Sequence, residues 1–507
     1  MLAKVLSSTL LGVDAWIIEV EVDLANGLPT FTTVGLPDAS IRESRDRVKA
    51  AMVNSGFPFP PKRITVNLAP AHLRKEGTAF DLPIALGLLQ ASGYIQSERL
   101  HRYLVVGELS LDGRVKAIAG AMPMALALRQ GGLEGMVVPA ENAAEAAVIE
   151  DVPVFGVATL AQAIGFFNGT EAIPPTRCDV QALFQQQTVY QEDFADVRGQ
   201  QHVKRALEVA AAGAHNVLLI GPPGSGKSLL ARRLPSILPD MSLEEAIETS
   251  KIHSIAGLLN RERALVATRP FRAPHHSTSD AGLIGGGTIP GPGEVSLAHN
   301  GVLFLDELPE FRRSVLEVLR QPLEDAQVTI ARAAITLTFP ARFMLAAAMN
   351  PCLCGFANDP QHTCTCTAQQ IQRYKTRISG PLLDRIDIHV EVPPVRYADL
   401  AASTATEDSM AIRARVNTTR MRQRARFAGT AIPHNAAMGV REIRQYCALD
   451  SASERLLEQA MRHYGLSARA HDRIRKVART IADLAGAAMI GAEHLSEAIQ
   501  YRTLDRG

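Results

Sequence analysis

The chain has 507 residues, a formal net charge of +1, and a composition of 47% hydrophobic and 21% charged residues. This length corresponds to about three domains, and the composition excludes disordered, collagen-like and disulfide-scaffold proteins. Because the net charge is close to zero, any surface that binds nucleic acid must be a local basic patch.

Residues 1–172 are predicted to form an α+β domain. Apolar and polar residues alternate as in strands at Asp14–Val22 and Ile64–Leu68, and Ala-rich segments at 117–130 and 140–150 favour helices. The N-terminal apolar run is interpreted as a first strand, since it lacks the small-residue cleavage site of a signal peptide. Uncharged stretches are broken by Gly and Pro before they could span a bilayer, so we expect a cytoplasmic protein with no membrane partner.

Three segments follow this domain. A polar, Gln-rich stretch at 173–194 contains consecutive prolines and predicts a linker. Residues 195–394 contain the strongest motifs, and residues 395–507 favour helices. Within the last segment, Arg413–Arg426 contains six arginines and no acid. On a helix these arginines form two faces, which either follow a phosphate backbone or remain solvated.

The most specific motif is a phosphate-binding loop. The apolar run Asn216–Ile220 is typical of a buried strand and Leu229–Leu234 is helical, so the Gly-rich sequence between them has the strand–loop–helix context of a P-loop. Glycines allow backbone N–H groups to surround phosphate oxygens without obstruction by Cβ atoms. Lys227 is predicted to contact the β- and γ-phosphates of ATP, and Ser228 to bind Mg²⁺. The predicted ATP-binding residues of this loop are Gly221, Pro222, Pro223, Gly224, Ser225, Gly226, Lys227 and Ser228.

Two later strand ends provide candidate catalytic groups. The apolar run Gly301–Leu305 ends in Asp306 and Glu307. Asp306 is predicted to hold Mg²⁺ at the ATP site and Glu307 to polarise the attacking water, which indicates hydrolysis as well as binding. A third strand, Arg342–Met349, ends at Asn350, whose side chain is predicted to position that water. The alternative for Asn350 is a turn-forming role before the following proline.

Arg385 follows a polar turn and precedes a predicted strand that begins at Ile386. It is a candidate catalytic arginine finger, which would reach the γ-phosphate bound by a neighbouring subunit and raise the rate by about 10³-fold or more. The alternative is a structural salt bridge to Asp384 or Asp387. The sequence leaves both interpretations open.

Together these motifs resemble those of ring-forming AAA+ ATPases, and other segments narrow the resemblance to the magnesium-chelatase-like branch. Those segments are Gly199-Gln200 and residues 210–216, 271–276 and 382–387. Over essentially its whole length the sequence resembles the ComM (YifB) family, bacterial proteins in which a Lon-protease-like domain precedes an AAA+ module. The resemblance implies an α/β fold with a P-loop AAA+ core at 195–394 and a helical lid at 395–507. It also implies an α+β Lon-protease-like domain, of the ribosomal S5 domain 2 type, at 1–172.

The resemblance further implies a hexameric ring that migrates branched DNA during homologous recombination. In this AAA+ branch two loops project into the ring pore, and residues 272–295 and 328–339 match them. Arg332, near the turn of the second loop, is predicted to bind DNA phosphates, with a solvated hairpin arginine as the alternative. Arg469 matches the sensor 2 position over the γ-phosphate of ATP, with Arg473 as the second choice.

The N-terminal domain departs from the Lon catalytic pattern. The segment that begins at Lys75 matches the Lon segment that carries the catalytic serine, but that position is Ala79 here, and the lysine position falls near Met122. Without a hydroxyl nucleophile or an amine base, no acyl-enzyme can form. We therefore expect a platform for assembly or DNA docking, and not a protease.

Four of the six cysteines lie close together in the sequence. They form two C-x-C pairs, Cys352/Cys354 and Cys364/Cys366, with His362 nearby. Four thiolates suit a tetrahedral Zn²⁺ ion. Because C-x-C spacing is less diagnostic than C-x-x-C, free thiols in a loop are the alternative.

The leading hypothesis is an ATP-hydrolysing hexameric DNA motor, a branch-migration helicase of natural transformation with ATP and Mg²⁺ as cofactors. Its expected partners are single-stranded and branched DNA, further copies of the chain, and recombinase and competence proteins. The alternative is a chelatase-like remodelling ATPase that acts on a protein partner.

Overall fold

The structure is a computed structural model that describes residues 1–129, 132–260, 263–287, 290–332, 335–357, 359, 362–395 and 406–502. It has a mixed α/β architecture, in which two large sheets with packed helices precede a helical C-terminal segment. Within these residues no helix combines the length and the apolar character needed to cross a bilayer.

The first sheet has seven strands, formed between Leu2 and Val157. They are β1 (Leu2–Leu11), β2 (Asp14–Ala25), β3 (Thr30–Val34), β4 (Arg63–Ala69), β5 (Tyr103–Val105), β8 (Gly135–Pro139) and β9 (Val154–Val157). A separate hairpin is formed by β6 (Glu108–Leu109) and β7 (Val115–Lys116). The spatial order is β3-β4-β2-β1-β5-β8-β9. Strand β1 pairs antiparallel with β2 and parallel with β5, so the sheet is mixed.

Helices pack on this sheet because strand alternation leaves one apolar face to cover. Along β2, Ile18, Val20 and Val22 are fully buried, as the alternating sequence predicts. The helices are α1 (Ala39–Asn54), α2 (Asp81–Ala91), α3 (Ala121–Arg129), α4 (Ala143–Ala146) and α5 (Leu160–Asn168). The predicted helices at 117–130 and 140–150 are therefore shorter in the structure. Helix α3 begins only after Gly120, whose φ of +81° is a left-handed turn conformation.

The polar segment at 173–194 is folded against its neighbours. It contains helix α6 (Val180–Gln187), whose N-terminus is capped by the Asp179 side chain. The Thr176 N–H donates to the Val154 carbonyl at 2.8 Å. Phe194 is fully buried in the hydrophobic core of the second sheet. This segment thus joins the two halves through buried contacts.

The second sheet has five parallel strands, in the order β11-β14-β17-β10-β18. Its strands are β10 (Val217–Ile220), β11 (Phe271–Arg272), β14 (Val302–Leu305), β17 (Met344–Met349) and β18 (Ile388–Glu391). The associated helices are α7 (Gln201–Gly213), α8 (Lys227–Ile237), α9 (Leu243–Ile255), α10 (Asp280–Ile284), α11 (Glu294–Leu297), α12 (Arg313–Val318), α13 (Arg320–Asp325), α14 (Ala368–Lys375) and α15 (Gly380–Leu383). Helices on both faces bury β14 and β17 fully and most of β10 and β18, which explains their near-continuous apolar sequences.

Two hairpins interrupt this half, at the places where the family resemblance implies pore loops. They are β12 (Gly285–Gly286) with β13 (Gly291–Pro292), and β15 (Gln327–Arg332) with β16 (Ile335–Pro340). The Arg332 side chain and the turn at 333–334 lie outside the described residues. The turn between β1 and β2 rests on the second hairpin, since a Cβ on Gly12 would lie 3.7 Å from the Thr338 carbonyl oxygen.

The C-terminal segment is helical, as predicted, and shares a hydrophobic core with the parallel sheet. Its helices are α16 (Ser409–Arg426), α17 (Val440–Tyr446), α18 (Ser451–Tyr464), α19 (Ala468–Ala485) and α20 (Ala492–Gln500). Ile474 and Ile481 of α19 belong to the same buried cluster as Val217 and Ile388 of the sheet. The His389 N–H also donates to the Tyr501 carbonyl at 2.8 Å, which attaches the residue after α20 to β18.

The arginines of α16 mostly contact the protein. Arg415 pairs with Glu208 and Glu407, and Arg420 donates to the Ala211 carbonyl at 3.1 Å. Such contacts hold α16 against α7, so the arrangement favours neither of the two interpretations drawn from the sequence.

A buried carboxylate organises the helical segment. Asp483 is 2% exposed and accepts hydrogen bonds from Arg426 at 2.7 Å, Arg479 at 3.0 Å and Asn435 at 2.9 Å. The guanidinium groups of Arg426 and Arg479 therefore share one carboxylate as their counter-charge.

We expect Asp483→Ala to destabilise the C-terminal segment by about 3–5 kcal/mol, because it leaves the buried guanidinium of Arg479 and the partly buried guanidinium of Arg426 without their counter-charge. The measurement is the urea midpoint of the chain. Asp112→Ala is the matched control, since Asp112 pairs with Arg114 at the surface and its removal is expected to leave the midpoint unchanged. Equal midpoints for the two variants would contradict this account of Asp483.

Candidate functional site

The Gly-rich loop connects β10 to α8, as the sequence predicts. Gly224 and Gly226 have φ values of +75° and +90°, which non-glycine residues rarely adopt. Gly226 is the N-cap of α8, so the loop presents its backbone N–H groups at a helix N-terminus. Ser225 is 1% exposed, and its buried hydroxyl has no hydrogen-bond partner within the described part of the chain. The loop thus has free donors for an anionic ligand.

Lys227 is the cation of this site. Its ammonium donates to the carbonyls of Gly221 at 2.7 Å and Pro222 at 2.8 Å, and to Asn350 Oδ1 at 3.2 Å. Burial lowers the pKa of the Lys227 ammonium, and the negative charge of Asp306 offsets only part of this effect. Lys227 and Asn350, two residues predicted to act on the same phosphate group, are therefore in direct contact.

A hydroxyl and a carboxylate lie side by side next to the lysine. Ser228 Oγ donates to Asp306 Oδ2 at 2.6 Å, and the Glu307 N–H donates to Asp306 Oδ1 at 2.9 Å. Hard oxygen donors of this kind are the ligands that Mg²⁺ prefers. Ser228 and Asp306 therefore fit the Mg²⁺ role predicted for them.

Glu307 follows directly, at the end of β14. Its backbone adopts the left-handed conformation with a φ of +53°, which turns the chain sharply and leaves the side chain 59% exposed. His276 Nδ1 lies 3.3 Å from Glu307 Oε2. This contact was not predicted from the sequence. The signal for it was a pair of histidines shortly after β11, which is the strand next to β14.

Arg385 is 7% exposed and makes neither of the salt bridges predicted as alternatives. Its guanidinium donates to the Pro381 carbonyl at 2.6 Å and pairs with Glu324. Asp387 instead binds Arg473 at 2.5 Å. Burial favours the neutral acid, but Arg473 and His215 outweigh it and hold the pKa of Asp387 below its usual range.

The two candidates for the sensor 2 position differ in availability. The Arg469 side chain is 64% exposed, and its guanidinium lies 3.7 Å from Asp384. The Arg473 guanidinium, by contrast, donates a hydrogen bond to the carboxylate of Asp387. Arg469, the first choice made from the sequence, is thus the less engaged of the two, and its contact with the γ-phosphate remains a prediction.

The four clustered cysteines come together in space. Cys352 Sγ lies 3.3 Å from Cys354 Sγ and 3.7 Å from Cys364 Sγ, and the Sγ atoms of Cys354 and Cys364 are 3.6 Å apart. With Cys366, all four sulfur atoms lie within 4.8 Å of one another. His362 is not part of this cluster and instead lies 3.5 Å from Asp359.

The positions that match the Lon dyad are apolar in the structure. Met122 is buried, and Ala79 packs against the hydrophobic cluster that contains it. The Lys75 side chain is fully buried and donates to the Pro70 carbonyl, and burial lowers the pKa of its ammonium. At these positions the structure therefore offers no nucleophile paired with a base.

Comparison with known proteins defines the class to which this fold and this site belong. Residues 193–400 match the family described as magnesium chelatase, subunit ChlI, and residues 20–142 match subunit ChlI of Mg-chelatase. Residues 406–502 match the C-terminal region of magnesium chelatase subunit ChlI. The protein is thus of the magnesium-chelatase-like AAA+ class, with a mixed α/β fold.

Full-length relatives specify the family within this class. The competence protein ComM of Haemophilus influenzae is 46% identical over 100% of this chain and 98% of its own length. YifB of Escherichia coli is 44% identical over 98% of this chain and 96% of its own. The chloroplastic magnesium-chelatase subunit ChlI of rice is 23% identical over 42% of this chain and 52% of its own. The chain belongs to the ComM/YifB family, which confirms the resemblance stated from the sequence.

Lys227→Ala is expected to weaken ATP binding strongly, because it removes the positive charge next to the phosphates. Glu307→Gln is expected to bind ATP normally and to hydrolyse it at a small fraction of the wild-type rate, because only the group that polarises water is lost. Fluorescent-nucleotide titration and phosphate release measure the two effects separately. Full turnover by Glu307→Gln would remove its catalytic assignment.

Proposed function

We propose that this protein is an ATP-hydrolysing ring motor that migrates branched DNA during the homologous recombination of natural transformation. The observation that carries the proposal is the convergence of Lys227, Ser228, Asp306, Glu307 and Asn350 at one edge of a parallel sheet. The competence role draws its support from the full-length similarity to a protein named for competence.

In the proposed reaction, Lys227 and the loop N–H groups bind the phosphates of ATP. Ser228 and Asp306 hold Mg²⁺, which when bound supplies positive charge to the phosphate oxygens. Glu307 accepts the proton of the attacking water, and Asn350 orients that water at the γ-phosphate. Each of these groups lies at the end of β10, β14 or β17, or at the start of α8, so a rigid sheet fixes their relative positions.

Ring formation is proposed because Arg385, the candidate arginine finger, contacts the Pro381 carbonyl and Glu324 instead of the ATP site of its own chain. An arginine placed in this way can serve the ATP site of a neighbouring subunit. Arg385 borders a surface depression of about 400 Å³, which Glu324, Arg320 and Gln321 also line. A neighbouring subunit seated at this depression would place its nucleotide near Arg385. Exchange of Glu324 for a γ-phosphate would then convert a structural ion pair into catalytic charge stabilisation.

DNA contact is proposed for the two hairpins that the family resemblance places in the pore. Hairpin β15–β16 lies in the chain between Glu307 and Asn350, so a change at the nucleotide can reach it through β14 or β17. Arg332 is the proposed phosphate contact. The first domain, for which we propose the Lon-protease-like fold, serves as a platform for assembly or docking and does not cleave peptides.

A second candidate is an ATPase that remodels a protein partner. The match of all three segments to magnesium-chelatase subunit regions favours it. The deciding experiment compares the ATPase rate with and without four-way-junction DNA. Stimulation by the junction supports the DNA motor, and an unchanged rate supports the protein remodeller.

Arg385→Ala is expected to abolish ATP hydrolysis in homogeneous rings, because each site takes its finger from a neighbour. Rings mixed with Lys227→Ala subunits are expected to recover part of the activity, since some interfaces then combine an intact lysine with an intact arginine. Phosphate release is measured across mixing ratios. An active Arg385→Ala ring, or inactive mixtures at every ratio, would contradict action between subunits.

Arg332→Ala is expected to keep the basal ATPase rate but to lose junction stimulation and branch migration. A phosphate contact carries no sequence information, so the loss is expected on every DNA sequence. Binding to a four-way junction at several salt concentrations provides the test. The logarithmic salt slope is expected to fall by about one unit per contact removed, and an unchanged slope with full migration would identify Arg332 as a solvated hairpin residue.

A further inference from the structure

The four clustered cysteines have the geometry of a closed metal site. A tetrahedral zinc ion with Zn–S bonds of about 2.3 Å requires sulfur atoms about 3.8 Å apart. Three of the Sγ···Sγ distances here are 3.3, 3.7 and 3.6 Å. These distances are far longer than the about 2.05 Å of a disulfide bond. All four cysteines are unpaired.

Backbone donors surround the sulfur atoms. The Ala357 N–H donates to Cys352 Sγ at 3.3 Å, and the Cys354 N–H donates to Cys366 Sγ at 3.4 Å. Such hydrogen bonds from the surrounding backbone stabilise the negative charge of thiolate ligands and orient them. Cys352 is completely buried, which also protects this sulfur from solvent.

The cluster is built directly onto the phosphate loop. Cys352 lies two residues after Asn350, and the turn that follows it is closed by the Gly355 N–H donating to the Cys352 carbonyl at 3.0 Å. A Cβ on Gly355 would lie 2.5 Å from Pro223 Cδ, so this turn is in tight contact with the loop predicted to bind ATP.

The other arm of the cluster leads back to Asn350. Helix α14 begins just after Cys366, with a capping box between Thr367 and Gln370. Its residue Tyr374 is buried, and burial raises the pKa of its hydroxyl to about 12, while the neighbouring backbone of Asn350 acts in the opposite direction. The chain on both sides of the cysteine cluster is therefore anchored at the end of β17.

We propose that Cys352, Cys354, Cys364 and Cys366 bind one structural zinc ion, which fixes the turn at Gly355 against Pro223 and so holds the phosphate loop in its binding conformation. Four protein ligands leave no open position on the metal, so the ion is structural and not catalytic. The metal site stands on the cysteine geometry alone, whereas its effect on nucleotide binding rests on the proposed ATP site.

Metal content tests the first half of the proposal. The full chain, purified from cells grown with zinc, is expected to contain about one zinc ion per chain, as measured by inductively coupled plasma mass spectrometry. Cys354→Ser/Cys366→Ser is expected to lose the metal. Cys178→Ser is the matched control and is expected to retain it, because Cys178 lies outside the cluster. Wild-type protein without zinc, or with iron in its place, would overturn the site.

Replacement of zinc by cobalt in the wild-type protein tests the ligand set without any substitution, so the result does not depend on how a variant folds. Wild-type protein stripped of metal and supplied with Co²⁺ is expected to show the visible absorption bands of a tetrahedral all-thiolate site. Spectra of octahedral cobalt would overturn the four-cysteine ligand set.

Nucleotide affinity tests the second half. Removal of zinc from the wild type is expected to weaken binding of a fluorescent ATP analogue by about tenfold, and return of zinc is expected to restore it. Gly355→Ala is expected to keep its zinc but to bind the analogue more weakly, because the added Cβ displaces Pro223. Equal affinity with and without zinc would overturn the coupling. If zinc-loaded wild type binds no nucleotide, then the proposed function fails while the metal site stands.

Discussion

Parallel pairing of β10 with β17 on one side and with β18 on the other places the carboxyl ends of three strands at one edge of the sheet. Strand β14 continues the edge beyond β17. Phosphate loop, carboxylates and Asn350 each follow one of these strands, so the strand register decides which side chains meet. A slip of one residue in any strand would move its apolar side chains to the opposite face, where they would meet different packing partners. Burial of the sheet thus also enforces the geometry of the site.

Much of this site could be predicted because its parts are local. A strand, a Gly-rich loop and a helix follow one another within about twenty residues, and each has its own periodicity. The two C-x-C pairs were also recognisable, since sequence proximity makes spatial proximity easy to satisfy.

Partner choice over long distances could not be predicted. Arg385 pairs with Glu324 and not with the adjacent acids, because the fold places α13 beside it. The contact between His276 and Glu307 depends on β11 lying next to β14, an order that no local pattern specifies. The burial of Phe194, at the end of the polar stretch 173–194, was also not predictable, because the residues that surround it are distant in the chain. In each case tertiary packing decides among several locally acceptable partners.

The turn between β1 and β2 lies on the hairpin that the family resemblance places in the pore. Leu11 and Val13 pack against the same cluster that contains Leu337 and Phe339. A pull on this hairpin would therefore be carried into the first sheet, because β1 is its central strand and is paired along its whole length with β2. In the proposed ring motor, the stiffness of this sheet would therefore limit how far the hairpin can move relative to the N-terminal domain.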